Sequence, residues 1–183
     1  MNPVITRLRG KIGDLVFRQY KDKVVVGLRA LVDGSEPTPS QRSQRERFRL
    51  ATAYGKWVFA DPALKAAYAK VAQARGQTTF GLAMADFLKG PAVDGIDLSA
   101  YTGRAGQKIT VTAHDEDFEV ATVAVVIRDG SHAVLEQGAA AQQTDGSWRY
   151  TTTTALAAGQ SAVIEATAVD RPGNKGFRCA HRR

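Results

Sequence analysis

Two kinds of side chain are grouped closely enough in this sequence to do chemistry. Acids cluster at Asp115, Glu116, Asp117 and Glu119, and Asp170 and Asn174 bracket the turn Asp170-Arg171-Pro172-Gly173-Asn174. Carboxylate and amide oxygens are the ligands of a hard cation such as calcium, which gathers about six to eight of them. Cations crowd the other half of the chain. Arg7, Arg9, Lys11, Arg18, Lys21 and Lys23 lie near its start, and Arg42, Arg45, Arg49 and Lys56 follow. Guanidinium and ammonium groups at that density suit phosphate, which arginine can hold bidentately. They suit the acidic face of another protein equally well.

Other chemistry lacks its usual marks. His114, His132 and His181 are scattered and the single cysteine, Cys179, has no CxxC partner, which speaks against zinc or haem. No Gly-x-Ser-x-Gly elbow or dinucleotide fingerprint occurs. Gly103-Arg104-Ala105-Gly106-Gln107-Lys108 lacks the ending of a phosphate loop and reads as a hairpin turn. Cys179 reads as a small buried hydrophobe in the last strand. The expectation is a protein that is not an enzyme and carries no cofactor. Solvated acidic turns are commoner than ion sites, so no metal is assigned. Calcium at Asp115, Asp117, Asp170 and Asn174 stands as a competing hypothesis.

The elements that must position these groups change character along the chain. Leu15–Tyr20 and Val24–Leu31 read as a β-hairpin around Lys21-Asp22-Lys23, with a bend or bulge where Gly10 and Gly13 bracket Lys11-Ile12. A lone hairpin is marginal in water and needs something to pack on. Thr38-Pro39 followed by Gln41 is a cap, a first-turn proline and a capping-box partner, opening a helix to Ala60. Leu50, Tyr54, Trp57 and Val58 fall on one face of that helix, and Arg42, Arg45, Arg49 and Lys56 on the other. Asp61-Pro62 opens a second helix to about Arg75, with Leu64, Tyr68 and Val71 along one side. A third runs from about Thr79 to Lys89 with Phe80, Met84, Phe87 and Leu88 on one face, and Gly90-Pro91 stops it. Trp57, Tyr68, Phe80 and Phe87 would supply a three-helix core.

Beyond Pro91 the period becomes two. Segments at 96–101, 107–114, 120–128, 133–138, 147–154, 162–170 and 176–180, separated by turn residues, make about seven short strands of an all-β sandwich. In such a sandwich the loop after the second strand and the loop after the sixth lie at one end, which would bring Asp115 and Asp117 near Asp170 and Asn174. The fold class expected is an α+β module of a hairpin and three helices over 1–91, followed by a sandwich over 92–183 with a short basic tail. Charge divides similarly. Residues 1–90 hold 16 Lys/Arg against 7 Asp/Glu, or +9, and residues 91–183 hold 9 against 11, or −2, for the net +7.

ATAVDRPGN at 166–174 and the acidic turn at 113–121 resemble bacterial immunoglobulin-like or cadherin-like repeats over about residues 94–180. The resemblance implies a sandwich and no particular role. The Cys…Trp…Cys core of antibody domains is absent. The first half is similar to an uncharacterised family of small bacterial proteins through Gly10-Lys11-Ile12-Gly13 and Gln41-Arg42-Ser43-Gln44-Arg45, a family that brings no activity with it.

The favoured reading is a non-enzymatic structural or assembly protein, a homo-oligomer or a partner of other subunits in a phage or bacterial particle or filament. The alternative is a nucleic-acid-binding protein that uses the basic hairpin and the arginine stripe. A third reading, a carbohydrate- or surface-binding module, would need Tyr101, Trp148 and Tyr150 exposed. The opening residues have no apolar signal core, and no apolar run reaches the roughly 18–20 residues of a membrane helix. Cytoplasmic synthesis without classical export is expected, with incorporation into a virion or particle compatible with it.

Overall fold

The computed structural model describes residues 9–20, 23–30, 34, 36–157 and 159–182. They divide between two compact units at Arg42/Ser43. Arg7 and Lys21 lie outside the described residues.

The first unit holds an antiparallel three-stranded sheet, β1 (Gly10–Ile12), β2 (Leu15–Tyr20) and β3 (Lys23–Leu28), in that order. The bend expected between Gly10 and Gly13 is a third strand instead. Ile12 pairs with Leu15 across a two-residue turn, and Gly13 takes the φ of +58° that such a turn needs. Side chains alternate between the faces of a sheet. Val25 and Val26, neighbours in β3, are 54% and 50% exposed, so both faces carry uncovered apolar area.

α1 (Pro39–Ala60) begins with the capping box that its sequence spells. Thr38 N donates to Gln41 Oε1 at 3.0 Å, and Gln41 N donates to Thr38 Oγ1 at 3.3 Å. Its buried face differs from the expected one. Ala51, Gly55 and Val58 are buried, whereas Leu50 and Trp57 are exposed, Trp57 at 55%. Small residues decide this, because they allow close approach. A Cβ at Gly55 would lie 2.7 Å from the Phe80 ring.

α2 (Pro62–Ala74) is capped by Asp61, whose Oδ1 accepts from Ala63 N and Leu64 N. α3 (Thr79–Leu88) is capped by Thr78, whose Oγ1 accepts from Gly81 N. The helical core is Val58, Leu64, Tyr68, Ala72, Leu82 and Ala83, with Tyr54, Val71 and Phe118 packed on it. α3 therefore buries Leu82, Ala83 and Asp86, while Phe80, Met84, Phe87 and Leu88 are only half-buried. Of the aromatics expected in this core, Tyr68 alone is fully buried.

The change of period at Gly90-Pro91-Ala92 opens seven strands within the second unit. They are β4 (Ala92–Asp97), β5 (Lys108–His114), β6 (Val120–Asp129), β7 (Val134–Gln142), β8 (Trp148–Thr151), β9 (Ala162–Asp170) and β10 (Lys175–Arg182). All pairings are antiparallel, in the order β10-β9-β6-β7-β8-β5-β4. β7 turns the corner. Val134–Ala140 pairs with β6, and Ala141–Gln142 pairs with β8. The sheet thus rolls in a barrel-like way around one core that takes Val93, Ile109, Val111, Trp148 and Tyr150 from one side and Val123, Val125, Ile127, Ile164 and Ala166 from the other. The first strand covers 92–97 rather than 96–101 because Pro91 is followed at once by paired residues. Cys179 is exposed, since odd-numbered positions of β10 face outward.

Candidate metal centre

Three aspartates, Asp86, Asp115 and Asp170, converge where α3 meets one end of the strands, with Asp117 nearby. β9 buries every second residue, Ala162, Ile164, Ala166 and Ala168, and the same alternation carries Asp170 inward. Asp115 and Asp117 lie in the β5–β6 loop, and Asp86 occupies the buried face of α3 with no side-chain exposure. One oxygen each of Asp86, Asp115 and Asp170 lies within 4.8 Å of the other two.

Donors hold each carboxylate in place. Asp115 Oδ1 accepts from Asp117 N at 2.8 Å and Phe118 N at 2.9 Å. Asp170 Oδ1 accepts from Gly173 N at 2.8 Å and Asn174 N at 2.6 Å, and its Oδ2 accepts from Asn174 Nδ2 at 2.7 Å. Asp86 Oδ2 accepts from the Tyr68 hydroxyl, which in turn is 2.9 Å from the Tyr54 hydroxyl. Asp86 Oδ1, Asp115 Oδ2 and Asp117 Oδ2 are buried without a hydrogen-bond partner among the described residues. Buried charged oxygens without partners are costly, by several kcal/mol for an ion in a real protein.

The nearby cations are engaged elsewhere. Arg75 donates to the carbonyls of Glu116 at 2.6 Å and Asp117 at 2.9 Å, and Arg171 pairs with Glu119 at 2.5 Å. Lys89 Nζ stands at the rim, 3.2 Å from Glu116 Oε2 and 3.4 Å from Asp117 Oδ2, the latter an ion pair without hydrogen-bond geometry. Burial pushes the Asp86 carboxyl up to about 7. The Tyr68 hydroxyl opposes that rise, and the charges of Asp115, Asp170 and Asp117 add to it. Burial also raises Asp170, against the pull of the donors from Asn174 and Gly173. Burial, with the bond to Asp86, raises Tyr68 above the usual phenol range, so its hydroxyl remains a donor.

Of the residues singled out from sequence, Asp115 and Asp170 meet in this cluster, with Asp117 beside it. Asn174 is present through its amide nitrogen, a donor that reaches Asp170 Oδ2 and the carbonyls of Asp86, Phe87 and Lys89. A nitrogen donor cannot ligate a cation, so Asn174 braces the centre at that position. Asp86 is not among the residues to which the local sequence points. Its one signal is an acid within the otherwise uncharged TFGLAMADFL, four residues after Leu82.

The basic residues fall into two groups. Arg42 pairs with Glu36 at 2.7 Å, and Arg49 donates to Glu46 from Nε at 2.8 Å and from Nη2 at 2.6 Å. Arg9 donates to Gln19 Oε1 at 3.1 Å. Lys11, Arg18, Arg45 and Lys56 are exposed and have no acidic partner among the described residues. Tyr101, Trp148 and Tyr150 belong to the strand core, so none is the exposed aromatic that a carbohydrate platform needs.

No protein-family model and no curated protein matches the chain. Solved structures similar to about half of it include three bacterial proteins. CopC from Methylosinus trichosporium OB3b is 18% identical over 50% of this chain and 89% of its own, with a TM-score of 0.37. A tetra-tandem repeat from the extending region of a large adhesion protein is 22% identical over 51% of this chain and 24% of its own, with a TM-score of 0.33. A conjugative transposon lipoprotein from Bacteroides eggerthii DSM 20697 is 10% identical over 50% and 92%, with a TM-score of 0.26. Likenesses at this level say nothing about what this chain binds. No helix among the described residues is long and apolar enough to cross a membrane.

Proposed function

We propose that this is a non-enzymatic structural or assembly protein, a subunit of a phage or bacterial particle or filament whose N-terminal sheet is covered by a second copy. The uncovered sheet carries this reading. Ile12, Leu15, Val25, Val26 and Leu28 are all exposed on three short strands, which have too little buried area to persist alone. The charge polarity, +9 against −2 between the two halves, supports docking of one copy's first half on another's second. An immunoglobulin-like assignment for the strands is supported by the neighbours β4-β5-β8 and β10-β9-β6, which match strands A-B-E and G-F-C of that topology, while β7 bridges the two by pairing with both β6 and β8.

Size-exclusion chromatography with light scattering, at low and high salt and with absorbance at 260 and 280 nm, tests the reading. A nucleic-acid-free oligomer that becomes monomeric when residues 1–31 are deleted is expected. Nucleic acid that co-elutes at low salt and leaves at high salt would favour the alternative, a phosphate-binding surface built on Lys11, Arg18, Arg45 and Lys56. The unpaired state of those four cations among the described residues is the observation on its side.

A further inference from the structure

We propose that Asp86, Asp115 and Asp170, with Asp117 at the rim, bind one calcium-sized divalent cation that fastens α3 to the β5–β6 loop and the β9–β10 turn. The site is independent of the assembly reading, because all four residues belong to the second compact unit.

Acids in a cluster do not by themselves make a site, but here one of them is completely buried and short of a partner. Asp86 sits on the apolar face of a helix with Oδ1 unbonded, where a solvated carboxylate has no reason to be. The surrounding donors share a pattern. Tyr68 takes one oxygen of Asp86, and two backbone N–H groups take one oxygen of Asp115, leaving Asp86 Oδ1 and Asp115 Oδ2 without partners. Among the described residues, no cation answers the three. Arg75 and Arg171 are spent on carbonyls and on Glu119, and the Lys89 ammonium meets Glu116 and Asp117.

The ligand chemistry selects the ion. An all-oxygen, carboxylate-rich set without histidine or cysteine favours a hard cation over zinc or copper. Coordination then separates calcium from magnesium, which dehydrates reluctantly, keeps several waters and is bound through one or two carboxylates rather than by an all-protein set. Three atoms no more than 4.8 Å apart share a centre within about 2.8 Å of each. Calcium–oxygen bonds of roughly 2.3–2.6 Å are reached from that limit by a contraction of at most a few tenths of an ångström. The three ligands come from a helix, a loop and a strand end that are distant in sequence, so the site exists only in the folded chain.

The test uses the full chain, stripped with a chelator and then titrated with calcium, magnesium or terbium. At about 100 times its dissociation constant, calcium is expected to raise the melting temperature by roughly 5–10 °C, and magnesium by much less. Tyr68 touches Asp86, so bound terbium should luminesce on tyrosine excitation, and calcium should quench that emission by displacement. Asp86→Asn keeps an acceptor for Tyr68 and should abolish both responses. In chelator it should melt close to the stripped wild type, because the substitution keeps the side chain's size and the bond from Tyr68. Asp115→Asn, in the loop, repeats the test should Asp86→Asn not fold. A wild type whose melting is unmoved by calcium and chelator overturns the proposal, as does terbium emission that persists in both variants. An equal shift with magnesium overturns the assignment to calcium.

Discussion

Phe118, from the β5–β6 loop, lies flat on the ring of Tyr68 in α2, with centroids 4.0 Å apart and planes inclined by 11°. The stack sets the loop that carries Asp115 and Asp117 against the helix whose hydroxyl holds Asp86. Arg171 covers the same Phe118 ring at 5.7 Å from its centroid. Phe118→Ala should cost about 2–3 kcal/mol in urea denaturation. That is below the roughly 3–5 kcal/mol of a fully buried phenylalanine, because this ring is only half-buried. Phe118→Leu should recover most of the loss. Equal stability of the alanine variant and wild type would show that the contact holds nothing.

Glu136 offers a second test at the other side of the strands. It is 8% exposed and accepts from the Tyr150 hydroxyl at 2.6 Å, Thr153 N at 2.8 Å and Thr154 N at 2.7 Å. Burial pushes its carboxyl upward, but the hydrogen bonds from Tyr150, Thr153 and Thr154 together outweigh it and leave it below the usual range. A lowered carboxyl stabilises the fold above its unfolded pKa of about 4.3, and that stability is lost as pH falls through the lower folded value. Glu136→Gln should cost about 1–3 kcal/mol at neutral pH. The gap between variant and wild type should narrow below about pH 4. A gap that does not change with pH would remove the charge from the explanation.

How far the sequence announces this site depends on the kind of element. Asp115 and Asp170 stand in turns whose chemistry is local, and strand order places their loops at one end, so their meeting follows from pattern. Asp86 hides because polarity on a helix is read as exposure, and only the packing of Leu82 and Ala83 turns that side inward. The same physics misleads at α1. Hydrophobicity weights Leu50 and Trp57 heavily, yet Ala51 and Gly55 make the interface because their size, rather than their transfer energy, lets Phe80 approach. Caps are the opposite case. Thr38 with Gln41, Asp61 with Pro62, and Thr78 satisfy the first N–H groups of their own helices, so neighbours in sequence suffice to predict them.

Gly176 marks a place where backbones touch. A Cβ there would lie 1.9 Å from Pro91 O, in the segment that enters β4, and a carbonyl in the chain has little room to yield. Gly176→Ala should destabilise by at least the roughly 1–3 kcal/mol of overpacking. Gly95→Ala is the matched control, because nothing lies within 4 Å of its added methyl group. It should change stability by no more than about 0.5 kcal/mol. Parallel urea curves for the two variants would refute the close approach.

The N-terminal sheet can be probed one face at a time. Val25 and Val26 are adjacent in β3 and therefore project to opposite sides, and both are half exposed. A lysine at either position should leave the unfolding of the rest of the chain within about 0.5 kcal/mol, since neither side chain is buried. If a second copy covers one face, Val25→Lys or Val26→Lys should dissociate the oligomer while the other leaves it intact. The sensitive position then names the buried face, because an ammonium placed there must be desolvated without a partner. Loss of assembly in both variants would mean that both faces are covered, as in a sheet sandwiched between copies. Light scattering that reports the same oligomer for wild type and both variants would show that the contact lies elsewhere, and the uncovered valines would need a different occupant.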